Sequence, residues 1–399
     1  MKIDTGSTAW MLAATALVLL MTPGLAFFYG GMTRAKTTLN MMMMSWIAIV
    51  TVTIAWVLYG DSLSFSKGNG FIGGFQYLGE HGLVNSASRV SGIPDLLFSV
   101  FQLTFAVITV ALISGAVADR TKFGAWAVFT VAWATLVYFP VAHWVWGGGW
   151  LSSLGIEDFA GGTVVHVNAG SELAADGTAA LAFMNTQVAT AAAAGGWLLV
   201  ERYRDGKPTS LGIASGAVAG LVAITPACAF IAPWAAIVLG LLAGAICCFA
   251  IGLKQKIRVD DALDVVGVHL VGGAFGAISL GFLAAYPLLD GQHKGLFYGG
   301  GVRQLGVQVL GPVAVGLYSF TVAWILGKII DKTMGFRVSE EDEITGVDLT
   351  QHAETAYDFL ITQLGHAGHT DAPLPAAVNG AGRDEADPDA KPESVRGAH

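Results

Sequence analysis

Two histidines are the residues of this chain best equipped to do chemistry. His166 lies in DFAGGTVVHVNAGS (158–171) and His269 in VVGVHLVGG (265–273). In each, a valine precedes the histidine and small residues follow three and four places on: Ala169 and Gly170, then Gly272 and Gly273. An imidazole both donates and accepts a hydrogen bond, so two of them side by side could relay a proton. An ionisable side chain inside an apolar segment is costly to bury and marks a functional position. Two such residues in look-alike contexts point to structural repeats that face one another across a shared site. No nucleophile, metal cluster or phosphate loop accompanies them, so neither an enzyme nor a cofactor is expected. The three cysteines, Cys228, Cys247 and Cys248, fall in apolar segments without metal or disulfide spacing and read as packing residues.

The elements that must hold the histidines are membrane spans. The 399 residues are 54% hydrophobic and 13% charged, well below the quarter or so usual for soluble domains. The 52 glycines suit helices that approach closely in lipid. With about 20 apolar residues needed to cross the hydrocarbon core, candidate spans fall at 9–32, 41–60, 96–118, 124–146, 178–200, 211–230, 232–253, 262–284 and 304–330. The first is expected to be an uncleaved span, since a cleaved signal has a more basic start and a shorter core. An N-terminus outside puts 13 basic residues, from Arg34 and Lys36 to Lys332 and Arg337, on the inner side. Only Lys2, Lys67, Arg89, Lys294 and Arg303 are then outside, a positive-inside bias that makes the C-terminus cytoplasmic. The net charge of −8 comes from acid after Glu340 and does not speak to nucleic acid, which is not expected as a partner.

Residues 163–200 are too long for one span, at about 57 Å for 38 helical residues. Glu172, Asp176 and Gly177 mark a break, which makes 163–171 a re-entrant piece with His166 beside a cavity. The expected organisation is a transmembrane domain over 1–334, an ordered cytoplasmic tail over 335–360, and a disordered acidic, Ala- and Pro-rich end over 361–399.

Several stretches resemble the ammonium transporter family (the Amt/MEP/Rh group), in the bacterial Amt style. They are PGLAFFYGGM (23–32), FQLTFAVITVALISGAVADR (101–120), HWVWGGGW (143–150), DFAGGTVVHVNAGS (158–171), AALAFMNTQVATAAAA (179–194), DDALDVVGVHLVGG (260–273), GLFYGGG (295–301) and GFRVSEEDE (335–343). The resemblance implies an all-α polytopic membrane protein with an inverted repeat, assembled as a homotrimer in which each protomer has its own pore. It places His166 and His269 on the twin pore histidines and Trp146, Phe101 and Ser171 on the outer ammonium-recruitment site. Phe105 falls on one of two stacked gate phenylalanines, and Asp158 on an acid that supports the site. Asp158 could cap the piece carrying His166, and Asp261 reads as a structural acid at the start of the His269 span. His143 reads as structural. The tail motif in this family packs across subunits, and a cytoplasmic PII-type regulator plugs the inner mouth.

The chain departs from the family at one place. The family carries another helical hairpin between the first histidine and a second NAGS turn, which brings the second gate phenylalanine. Here VVHVNAG runs straight into SELAADG, so some 40 residues or more are missing and about nine full spans remain of the family's eleven.

Ammonium is close in size to potassium, so a hole of fixed diameter cannot sort them. Ammonium differs in donating four hydrogen bonds and in having a proton to lose. An aromatic face with a hydroxyl could recruit it, with a cation–π contribution of about 2 kcal/mol once dry. Desolvation would then favour its neutral form, and the imidazole pair would take the proton. The expected function is an ammonium transporter or channel at the plasma membrane, conducting ammonia with or without the proton. A membrane ammonium sensor signalling through its tail, or a transport-impaired shortened form, are the alternatives.

Overall fold

A computed structural model describes residues 3–84, 86–90, 92–166, 177–257, 260–285 and 294–357. Nine helical rods account for most of these residues. They are α1 (Thr5–Met32), α2 (Thr38–Phe65), α3 (Asp95–Val117), α4 (Phe123–Trp133, continued by a π turn over Ala134–Tyr138 and by Phe139–Val145) and α5 (Gly177–Arg204). Then come α6 (Ser210–Ile224), α7 (Pro233–Ile257), α8 (Val266–Leu283) and α9 (Val302–Met334). The described part has no strand beyond one isolated bridge, Thr121 to Arg337. Seven of the helices are long and apolar enough to cross a membrane; α5 is less apolar and α6 is shorter. The expected span 211–230 is therefore cut short. Pro226 lacks a backbone N–H and disfavours helix in the residue before it, so the helix ends at Ile224 and gives way to buried turns.

The rods form two packs. Helices α2, α3 and α4 share a core with α9 in which Trp56, Trp126, Tyr138 and Phe139 are fully buried. Helices α5, α6, α7 and α8 make the second pack, whose contacts are small residues. A Cβ at Gly244 of α7 would come within 2.0 Å of the Ala193 carbonyl of α5, so only glycine permits that approach. In a membrane such contacts replace a hydrophobic driving force that lipid cannot supply.

The connection between α2 and α3 folds over one end of the first pack. Arg89 forks onto Asp61, Nη1 to Oδ1 at 3.1 Å and Nη2 to Oδ2 at 2.7 Å, and its guanidinium lies 4.1 Å from the centre of the Tyr77 ring. Ser99 Oγ accepts from Trp56 Nε1 at 3.0 Å and donates to Glu80 Oε1 at 2.9 Å. Burial, and then the charge of Asp61, push the Glu80 carboxyl up to about 7 from the usual 4.5. A carboxyl that keeps its proton longer when folded stabilises the fold at low pH, and that contribution is lost as the pH climbs through the folded value. Thermal stability is therefore expected to fall between about pH 4.5 and pH 7. Glu80→Gln should flatten that slope, as read from unfolding midpoints across the range; an unchanged slope would count against this assignment.

Residues 335–357 return along the opposite end of the bundle. Lys122 N–H donates to the Phe336 carbonyl at 3.0 Å, and Val338 N–H to the Arg120 carbonyl at 2.9 Å. The Asp348 carboxylate accepts from Leu39 N at 3.0 Å and Asn40 N at 2.7 Å, capping the start of α2 from 308 residues away. His352 Nε2 pairs with Asn40 Oδ1 at 3.0 Å. Removing a capping oxygen costs about 1 kcal/mol. Asp348→Ala is thus expected to loosen the tail several-fold, seen as faster proteolysis of 335–357 with the spans intact. Residues 361–399, expected to be disordered, lie outside the described residues, as does 358–360 of the expected tail.

Candidate functional site

Each histidine sits at or near the end of a five-residue π turn, Gly162–His166 in one case and Val266–Leu270 in the other. A π turn leaves backbone N–H groups aimed at its own start, and a carboxylate stands there both times. Asp158 accepts from Gly161 N at 2.9 Å, Thr163 N at 2.9 Å and Val164 N at 3.0 Å. Asp261 accepts from Val265 N at 3.0 Å and Val266 N at 2.8 Å. Both acids precede their histidine by eight residues. That equal spacing was legible in the sequence, and it is the signal that would have paired the two acids as the two histidines were paired.

The π turn Gly162–His166 packs on α8 and touches α3. Its approach to α8 passes over Gly273, where a Cβ would lie 2.9 Å from His166 Cβ and 2.7 Å from the Gly162 carbonyl oxygen. With that gap closed, the imidazoles meet: Nδ1 of His166 is 3.1 Å from Nδ1 of His269, with ring centres 5.2 Å apart and planes 19° apart. One Nδ1 must carry a hydrogen and the other a lone pair. It follows that one ring presents Nε2 as an acceptor and the other presents Nε2–H. Neither ring makes another hydrogen bond among the described residues. The pair is thus a donor and an acceptor joined by a bond along which the hydrogen can shift.

Phe101 and Phe105 form an edge-to-face pair 5.0 Å apart on α3, and Trp146 packs against the same cluster. Trp146 Nε1 donates to the Asp158 carbonyl at 3.1 Å, tying the indole to the loop that starts the first π turn. Ser171 lies outside the described residues, so the recruitment trio is represented by Trp146 and Phe101. His143 is held between the Ser64 carbonyl at 3.0 Å and the Asn69 carbonyl at 2.8 Å, away from the other two histidines' contact. The re-entrant reading of 163–171 is seen only as far as His166.

Sequence reasoning missed the cavity beside the pair. About 470 Å³ of space is bounded by Met21, Gly24 and Phe28 of α1, Phe105 of α3, Val222 of α6, and the two histidines. These residues belong to spans that look ordinary one at a time. Among the described residues no cluster of three or more metal-ligating side chains occurs.

A bundle of hydrophobic spans closing around two facing imidazoles is the architecture of a polytopic membrane transport protein. The Ammonium Transporter Family profile matches residues 9–170 and again 167–357, and the chain belongs to that family. It is 47% identical to the ammonium transporter of Mycobacterium tuberculosis, with 90% of this chain and 91% of that protein aligned. It is 43% identical to the ammonium transporter of Bacillus subtilis, covering 89% of this chain and 99% of the relative. The crystal structure of Candida albicans Mep2 superposes with a TM-score of 0.80 at 30% identity, over 89% of this chain and 91% of that one. The Bacillus subtilis alignment runs over 401 positions while drawing on about 355 residues here, so about 46 positions of that relative face nothing in this chain. The two profile matches overlap on 167–170, directly after His166, which puts the break at VNAG.

Proposed function

We propose that the chain moves ammonium across the plasma membrane, with His166 and His269 as the dry relay of a hydrophobic pore. The contact of the two Nδ1 atoms at 3.1 Å carries this reading, because it joins two imidazoles that lie 103 residues apart into one donor–acceptor unit. Trp146 and Phe101, with Ser171 as their hydroxyl, recruit the ammonium ion, and Phe105 forms the remaining half of an aromatic gate. Desolvation past that gate favours ammonia over ammonium, and the proton passes to the imidazole pair. Potassium has no proton to give up and stays behind. Asp158 and Asp261 hold the two turns in place.

The N-terminus lies outside and the tail inside, in keeping with the bias of basic residues. The assembly is a homotrimer, by family resemblance, and a PII-type regulator is the partner at the inner mouth. The function is transport rather than catalysis. The missing segment also favours a second reading, a transport-impaired shortened form, because about 46 positions of a relative have no counterpart beside the relay. Ammonium uptake or current in proteoliposomes, set against a version with the hairpin restored, separates the two. Uptake by the chain as it stands, with potassium excluded, supports conduction; uptake only by the restored version supports impairment.

A further inference from the structure

The chain's missing segment leaves a mark on the structure. Helix α1 packs on α2 and α3, and α6 packs on α5, α7 and α8, but α1 and α6 share no substantial packing interface with each other. Between them lies the cavity of about 470 Å³ that reaches the histidine pair. One water in the liquid occupies about 30 Å³, so the space is far larger than an ammonium ion needs and falls within the range of ligand pockets, about 300–1,000 Å³. At its rim Met21 of α1 is 47% exposed and Leu221 of α6 is 41% exposed, so the cavity opens sideways between two membrane helices. Its wall is apolar apart from Thr186, Thr225 and the two imidazoles. Thr186 and Thr225 spend their hydroxyl hydrogens on the Ala182 and Val222 carbonyls of their own helices, both at 2.7 Å. The histidine Nε2 atoms have no hydrogen-bond partner among the described residues.

The geometry points to a binding site for primary n-alkylamines, whose nitrogen meets the Nε2 atoms of His166 and His269 while the alkyl chain fills the cavity between α1 and α6. A neutral primary amine matches the pair, since its lone pair accepts from one Nε2–H and its own hydrogen is donated to the other Nε2. The hydrocarbon tail covers Met21, Leu25, Phe28, Leu221 and Val222, a surface that ammonia cannot cover. This rests on the proposed ammonium site and extends its substrate class to lipophilic amines that arrive from the membrane.

The test is equilibrium binding of radiolabelled n-hexylamine to the full chain in lipid nanodiscs, corrected with empty nanodiscs, and competition by methylamine, butylamine, hexylamine, hexanol and ammonium. Each methylene buried should tighten competition by about fourfold. Hexylamine should be displaced by ammonium, and His269→Ala should weaken its binding at least tenfold. A Cβ at Gly24 meets nothing within 4 Å, so Gly24→Leu can extend into the cavity without a backbone clash and should also weaken hexylamine at least tenfold. A flat chain-length series overturns the site, and so does hexanol competing as well as hexylamine, which would make the cavity a hydrocarbon groove. The series uses the unaltered chain, so it does not depend on either variant folding. Ammonium uptake measured alongside keeps the two readings apart: uptake with a flat series sinks only the amine site. A rising series without uptake keeps the amine site and sinks conduction.

Discussion

His269→Ala is expected to lower ammonium uptake into proteoliposomes by about 10²-fold, the scale of a lost general acid–base partner. The residue is 7% exposed and its only hydrogen bond among the described residues is the one to His166. Alanine removes one of the two Nε2 atoms facing the cavity and leaves His166 Nδ1 without a partner, so the tautomer shift that would carry the proton has no second ring. Selectivity should suffer together with rate: a wider, unpaired passage loses the chemical distinction between an ion that can surrender a proton and one that cannot. The measurement is uptake of ammonium and of potassium under the same gradient, for His166→Ala as well. An unchanged ammonium rate with potassium still excluded would falsify the relay.

Asp158→Ala is expected to destabilise the folded chain by about 3 kcal/mol or more, since each buried N–H left without an acceptor costs about 1–3 kcal/mol. Three such N–H groups converge on this carboxylate, from Gly161, Thr163 and Val164. In a membrane segment no bulk water is at hand to replace it. Asp261→Ala should cost less, because Asp261 receives two. Asp158→Asn keeps one oxygen and should fall between wild type and alanine. Unfolding midpoints in detergent check the order; equal midpoints for the two alanine variants, or Asn no better than Ala, would show that the turns do not lean on these acids.

Much of the architecture was legible because its signals are local. Hydropathy placed all nine rods, from 9–32 to 304–330, and the echo of VVH around His166 and VGVH around His269 paired the two rings before any coordinates. The break at the NAG join was also visible, and the doubled profile match at 167–170 falls on it. What escaped was geometry that depends on partners far along the chain. The π turns give no periodic signature in five residues. The end of α6 at Ile224 depends on Pro226, which a hydropathy window averages away. The repeated interval from Asp158 to His166 and from Asp261 to His269 was present in plain view, but it acquires meaning only once both carboxylates are seen to hold a turn.

By itself the amino-acid order determined that this is a membrane bundle, which family it resembles, and which two imidazoles are special, because apolar runs and short repeats are properties of the chain read along its length. Only the tertiary structure decided that the rings touch through Nδ1, that Gly273 makes room for the contact, and that a cavity lies between α1 and α6. Those features arise where segments over a hundred residues apart are pressed together, and close packing turns the absence of one methyl group at Gly273, or of one hairpin, into the presence of a contact or a void.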